Sequence, residues 1–133
     1  MMLKRVLARA LVTAAVAACG LNATASPAMA VGGCPSGKLC LYEGANFWWL
    51  KVYSGSTSAC VYYWRNFSLE AIDSYVNYLP VSVRVYSRRD TYTYWYDGTI
   101  SSGGFSSNTG GSFGYRGVTC TGNAKPDGVV YYR

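Results

Sequence analysis

The sequence predicts an all-β fold: two Greek-key motifs forming one disulfide-stapled sandwich. Three observations carry this. Beyond residue 30, apolar and polar residues alternate in short runs, and helical periodicity is nearly absent. Short matches recur in one order at spacings near 44, so the chain reads as two similar halves. Four cysteines remain once an N-terminal leader is set aside, an even number that fits two disulfides.

The leader comes first. Met1–Arg5 is basic, Ala10–Cys19 is an apolar run too short to span a bilayer, and Ala28-Met29-Ala30 is a small-x-small cleavage site. Residues 1–30 therefore read as a secretory signal peptide, which implies a secreted, extracellular protein. A competing reading takes Val16–Gly20 as a lipoprotein box, which would leave Cys19 as a lipid anchor and the protein on a membrane. Cleavage after Ala30 leaves 103 of the 133 residues, one domain over 31–133.

The elements follow in order. Cys34 and Cys40 flank Pro35-Ser36-Gly37, turn chemistry that folds the chain back before the first strand, Cys40–Glu43. Further strands are expected at Trp49–Ser54, Cys60–Trp64, Ser74–Tyr78, Val81–Arg88, Thr91–Tyr96 and Gly128–Arg133, with one helical turn at Phe67–Ile72. Leu41–Glu43 matches Val85–Ser87, and Val52–Gly55 matches Trp95–Gly98. Asp73–Tyr78 matches Asp127–Tyr132 at a longer spacing, which points to a Gly/Ser-rich insertion, Ser101–Ser112, in the second half.

Four cysteines allow three pairings. The turn between the first two favours Cys34–Cys40 and leaves Cys60–Cys120. Charge is less telling: past the leader there are nine basic and six acidic residues. Arg84, Arg88 and Arg89 cluster as on the solvent face of a strand, short of a nucleic-acid stripe, so no nucleic-acid partner is expected. All 21 aromatic residues lie beyond the leader. So small a domain cannot bury them all, which makes Trp48, Trp49, Trp64 and Trp95 candidates for stacking on a glycan. The alternative is that they fill or cap the core.

The run Cys34–Phe47, with its cysteine pair, Leu-Tyr-Glu strand and Ala-Asn-Phe turn, resembles the opening of small secreted actinobacterial metalloprotease inhibitors with a βγ-crystallin-like fold. The likeness covers about Cys34–Asn77. It implies inhibition of a secreted, thermolysin-like metalloprotease by a rigid, disulfide-anchored loop. The family presents a Cys-Val bond to zinc proteases, so Cys60, Val61 and Tyr62 are the inhibitory candidates, against the bland reading of Val61 as an ordinary strand residue. A second candidate loop surrounds Phe105. In the family pattern Tyr42 and Phe47 fit, but the glycine two positions further on is Trp49. Glycine serves there because the turn needs positive φ, so an altered turn is expected.

Catalytic chemistry is scarce. The chain has no histidine, which excludes Ser-His-Asp and Cys-His arrangements and histidine-ligated zinc. Lys38, Lys51 and Lys125 sit in turn or strand-face settings, and the six carboxylates lie mostly near turns. No enzyme activity and no cofactor are expected. The window Leu69–Ser74 matches a crystallin-type calcium motif poorly: leucine replaces the first acid, Glu70 and Asp73 remain, and Ser74 keeps the ending. Calcium, which prefers six to eight oxygens, is not expected there. The alternative function is a non-catalytic carbohydrate- or cell-wall-binding module.

Overall fold

In a computed structural model the described residues are 30–133. The leader and the Cys19 alternative therefore fall outside the described residues. The strands are β1 (Leu39–Gly44), β2 (Trp48–Ser54), β3 (Cys60–Tyr62), β4 (Ser74–Asn77), β5 (Val83–Asp90), β6 (Thr93–Ile100), β7 (Phe105–Ser106), β8 (Val118–Thr121) and β9 (Val129–Tyr131). A single helical turn, α1 (Tyr63–Asn66), follows β3, and a 3₁₀ turn over Val31–Gly33 precedes β1.

The strands form two sheets, β2-β1-β4-β7 and β3-β8-β5-β6-β9. The first half places β1, β2 and β4 in one sheet and lends β3 to the other, while the second half places β5, β6, β8 and β9 in that other sheet and lends β7 to the first. Between the sheets lies one apolar core around Leu39, Leu41, Val52, Ile72, Val83 and Val85. Burying each such side chain is worth roughly 1.5–3 kcal/mol. The inward residues of β1 and β5 alternate with residues of the outer faces, as the pleat requires.

The outer faces are covered by the two ends of the described chain. On the first sheet, Tyr42, Val76 and the Cys34–Cys40 disulfide pack with Val31 and Phe47. Tyr42 donates its hydroxyl hydrogen to the Gly32 carbonyl at 3.0 Å, and the Val31 N–H donates to the Tyr78 hydroxyl at 3.0 Å. Gly32 has φ 59°, and a Cβ there would meet Phe47 Cγ at 2.6 Å, so only glycine lets the segment lie this close. On the second sheet, Tyr86, Tyr94, Val118 and Cys120 are covered by Ala124 and Val130. Cys60 and Cys120 face each other across β3 and β8 and are bonded, so both disulfides join the favoured partners.

The two halves repeat in register. Tyr42 faces Ser74 and Tyr86 faces Val118, and each partner lies 32 residues on. The ladder slips at Leu41/Tyr42 and again at the equivalent Val85/Tyr86. Leu41–Glu43 and Val85–Ser87 are thus true counterparts.

Other expectations need correction. Val52 faces Leu41 whereas Gly98 faces Val85, so Val52 corresponds to Gly98 and not to Trp95. The counterpart of β4 is β8, which pairs with β5 as β4 pairs with β1. The C-terminal run at Asp127–Tyr132 instead supplies β9, an added strand parallel to β6. Hence Ser101–Ser112 is no insertion. It belongs to the ordinary β6–β8 connection and carries β7, the strand lent to the first sheet.

The helical turn also lies elsewhere. Phe67–Ile72 has no helix, because its backbone N–H groups and carbonyls serve other segments: Ile72 N–H donates to the Phe113 carbonyl and Arg116 N–H to the Glu70 carbonyl. The turn falls at Tyr63–Asn66 and cuts short the expected strand Cys60–Trp64. Tyr63 is fully buried there, its hydroxyl bonded to Thr119.

Candidate functional site

Two strand edges lie next to a disulfide. The first is β3, at the end of the second sheet. Its register alternates sides: Cys60 and Tyr62 pack on the outer aromatic cluster, while Val61, opposite Thr119, packs against the main core. Val61 is half-buried, so an apolar subsite would have to compete with the protein's own core for it. Burial raises the Tyr63 hydroxyl well above the usual phenol range, an effect only partly offset by its bond to Thr119. Tyr94, beneath the same cluster, is pushed up to about 12, chiefly by burial.

The second edge is β2, at the end of the first sheet and paired only with β1, the strand that carries Cys40. The β1–β2 turn is bent sharply. Asn46, Phe47 and Trp49 have φ of 57°, 58° and 66°, in the left-handed region that L-residues enter at a cost of roughly 1–2 kcal/mol each. The altered turn expected at Trp49 is therefore absent: the backbone is bent as glycine would bend it, and tryptophan bears the strain.

Buried Ser74 holds this turn. Its hydroxyl donates to the Gly44 carbonyl at 2.6 Å and accepts the Phe47 N–H at 3.0 Å. Tyr42 meets the Phe47 ring edge-on at 5.7 Å between centroids. Ser74, singled out as the remnant of a calcium motif, thus acts as a clamp between β4 and the β1–β2 turn.

The clamp displays apolar side chains to solvent. Trp48 is 67% exposed, Trp49 55% and Leu50 48%, with Tyr53 exposed further along. The Lys51 ammonium lies 4.3 Å from the Trp49 ring centroid and 3.6 Å from Glu43, which pins the tryptophan from behind. Sequence reasoning named Trp48 and Trp49 but missed Leu50 and the clamp. A leucine directly after two tryptophans in an edge strand was the available signal.

The four tryptophans do not share one face. Trp48 contacts Trp49 at 5.4 Å, Trp64 lies between Tyr62 and Tyr94, and Trp95 meets Tyr131 at 5.5 Å on the other sheet. Phe105 is exposed but belongs to β7, paired with Val76, so its segment is held on the first sheet. Glu70 pairs with Arg116 at 3.4 Å, and Asp73 faces a cavity shared with Glu43. Among the described residues no group of three His, Cys, Asp or Glu is arranged to hold a metal ion.

Of the arginine cluster, Arg84 donates to the Gly122 carbonyl at 2.8 Å, whereas Arg88 and Arg89 lie over Trp64 and Trp95. No helix among the described residues is long and apolar enough to cross a membrane. The two disulfides are consistent with an extracellular protein. No family model, no curated protein and no solved structure matches the chain.

Proposed function

We propose that the chain is a secreted, non-catalytic inhibitor of a thermolysin-like metalloprotease, and that it acts through the β2 edge with Trp49-Leu50 as the bond offered to the enzyme. The resemblance of the Cys34–Phe47 run supplies the target class. The observation that supports this edge over Cys60-Val61 is exposure: Leu50 is 48% exposed on an unpaired strand edge, whereas Val61 packs against the core. Thermolysin-like enzymes favour a bulky apolar residue just after the scissile bond, and Leu50 is such a residue.

An inhibitor must also be cut slowly. Proteases act on extended backbone, and left-handed Trp49 precedes the bond. The Ser74 clamp and the stapled β1 keep the strand from relaxing into the cleft. Little ordering entropy is then lost on binding, which favours a tight complex. A free sheet edge also suits strand addition to an enzyme's own edge.

The test is a titration of a thermolysin-like protease with the parent and with Leu50→Asp, after the variant is shown to be folded. An unpaired charge in an apolar subsite should weaken inhibition by at least the roughly 1–3 kcal/mol that an uncharged polar group costs. The carbohydrate-binding alternative draws on the same exposed Trp48 and Trp49. Retention on chitin or peptidoglycan, together with no inhibition of any metalloprotease, would replace the inhibitor reading with that one.

A further inference from the structure

We infer a site for a single carboxylate borne on a small apolar group, in the cavity between α1, residues 68–70 and Arg88 of β5. The cavity holds about 240 Å³, which suits a body the size of one residue and not a drug-sized ligand. It uses no residue of β2, so it stands or falls apart from the inhibitor reading.

Most of the lining is apolar. Leu69 and Tyr63 are buried residues of the main core, and Trp64, 37% exposed, stands beside them. The Tyr63 hydroxyl is already bonded to Thr119. Ser68 completes this side with φ 50°, in the left-handed region that L-residues enter at a cost. Backbone strain of this kind collects at ligand clamps.

The charged groups of the cavity are Glu70, Arg116 and Arg88, and they leave one cation over. Glu70 Oε1 accepts from Arg116 at 3.4 Å and from the Tyr115 hydroxyl at 3.3 Å, so those two charges answer each other. Asp127 is taken by Arg65 at 3.3 Å. Arg88 has no carboxylate at ion-pair distance among the described residues. Its Nε donates to the Asp90 backbone carbonyl at 3.3 Å, and its two terminal nitrogens have no acceptor among the described residues.

Arg88 is also held in place. Its backbone N–H donates to the Tyr115 carbonyl at 3.0 Å, and its guanidinium lies 4.3 Å from the Trp64 ring centroid. A guanidinium steadied on a ring, with its fork unused, suits a carboxylate. A neutral ligand would leave that fork unmatched, and a polyanion would meet Glu70 and the apolar lining. One carboxylate beside a branched apolar group matches both the charge and the lining. A free acyl amino acid and the C-terminus of a peptide share this chemistry.

The test follows the Trp64 indole N–H by NMR while the folded chain is titrated with acetyl-leucine, its amide, acetylglycine and acetyl-Gly-Gly-Leu. Acetyl-leucine should bind, with the neutral amide and the side-chain-free acetylglycine at least roughly tenfold weaker, the scale of one charge-assisted hydrogen bond. Tighter binding of the tripeptide would name a peptide terminus as the source, and weaker binding a free acid. Arg88→Gln should weaken acetyl-leucine roughly tenfold and Arg88→Lys less, since lysine keeps the charge but not the fork. If Arg88→Gln fails to fold, the amide comparison on the parent and Arg116→Gln decide. That exposed change leaves Glu70 uncompensated and should weaken the acid but not the amide. Equal binding of acid and amide, acetylglycine as tight as acetyl-leucine, no binding of the acid, or an acid affinity untouched by Arg88→Gln would overturn the proposal.

Discussion

The two hairpins that open the two halves share a register but not a character. The β1–β2 hairpin carries three left-handed non-glycine residues, Asn46 and Phe47 in the turn and Trp49 in β2, and its turn is clamped by Ser74. The β5–β6 turn is two residues long, Thr91-Tyr92, with no left-handed residue. Its position equivalent to Ser74 is Val118, which is buried in the sheet. Their outer edges differ in the same sense: β9 pairs along β6, while among the described residues no strand pairs along the outer edge of β2. Trp49 and Trp95 mark the contrast. Trp95 lies opposite Ser87, and Trp49 occupies the matching rung between the Tyr42–Leu50 and Gly44–Trp48 pairs. One stands out strained and exposed, the other is packed beside Tyr131 with arginines nearby. Strain kept in one copy of a duplicated unit, and held there by a dedicated side chain, supports the proposal that this copy meets the partner.

The comparison breaks most visibly at the disulfides. Cys60–Cys120 closes a separation of 60 residues and joins β3 of the first half to β8 of the second, whereas Cys34–Cys40 closes one of six within the first half. Loop-closure entropy assigns about 4 kcal/mol to the long loop and about 2 kcal/mol to the short one. Replacing Cys60 and Cys120 by alanine should therefore lower denaturant stability by about twice as much as replacing Cys34 and Cys40. The reverse order would mean that the short loop holds more than its own turn.

Ser74→Ala should come next. It leaves the Gly44 carbonyl and the Phe47 N–H without their partner, a loss of about 1–3 kcal/mol in chemical denaturation. Hydrogen exchange should quicken in the β1–β2 turn and stay unchanged in β5–β6.

A pH effect separates two buried tyrosines, one in α1 and one in β6, from the exposed edge. Tyr63 and Tyr94 have raised folded-state values, so the folded state holds their protons more firmly than the unfolded chain does. The stabilisation is complete below about pH 10, where both states are protonated, and is lost as pH rises above it. Alkaline unfolding should steepen above that point, and Tyr63→Phe should flatten the slope. An unchanged slope would show that Tyr63 is not held protonated in the folded protein.

Trp49→Gly sharpens the comparison at its smallest scale. Glycine adopts φ 66° freely, so stability should rise by about 1 kcal/mol while inhibition falls. The same change at packed Trp95 should destabilise. A loss of stability at both positions would remove the argument from strain.

Much of the fold was legible because pattern and burial agree. Val83, Val85 and Tyr86 in β5 and the run in β6 alternate as a strand with two different faces does. The cysteine pairs were legible from a turn and an even count. β8 was missed because Val118–Thr121 is buried on both faces, so short alternation gives no signal. β7 was hidden in a Gly/Ser-rich run because its pairing with β4 is set by tertiary contacts and not by propensity. At the candidate site, Trp48 and Trp49 could be named from their type. The clamp could not, since Ser74 acts through the Gly44 carbonyl and the Phe47 N–H, which are fixed only once β4 lies beside β1. The side on which Val61 falls likewise depends on the β3–β8 register.

The most direct measurement is an inhibition titration of a thermolysin-like metalloprotease by three folded proteins: the parent, Leu50→Asp and Val61→Thr. If β2 is the contacting edge, the parent and Val61→Thr inhibit alike, and Leu50→Asp is weaker by at least roughly 1–3 kcal/mol, the cost of burying an uncharged polar group. If Leu50→Asp inhibits as well as the parent and Val61→Thr does not, the reactive bond is Cys60-Val61 and the account of the strained hairpin is wrong. If the parent inhibits no metalloprotease, the resemblance at Cys34–Phe47 extends to fold without function.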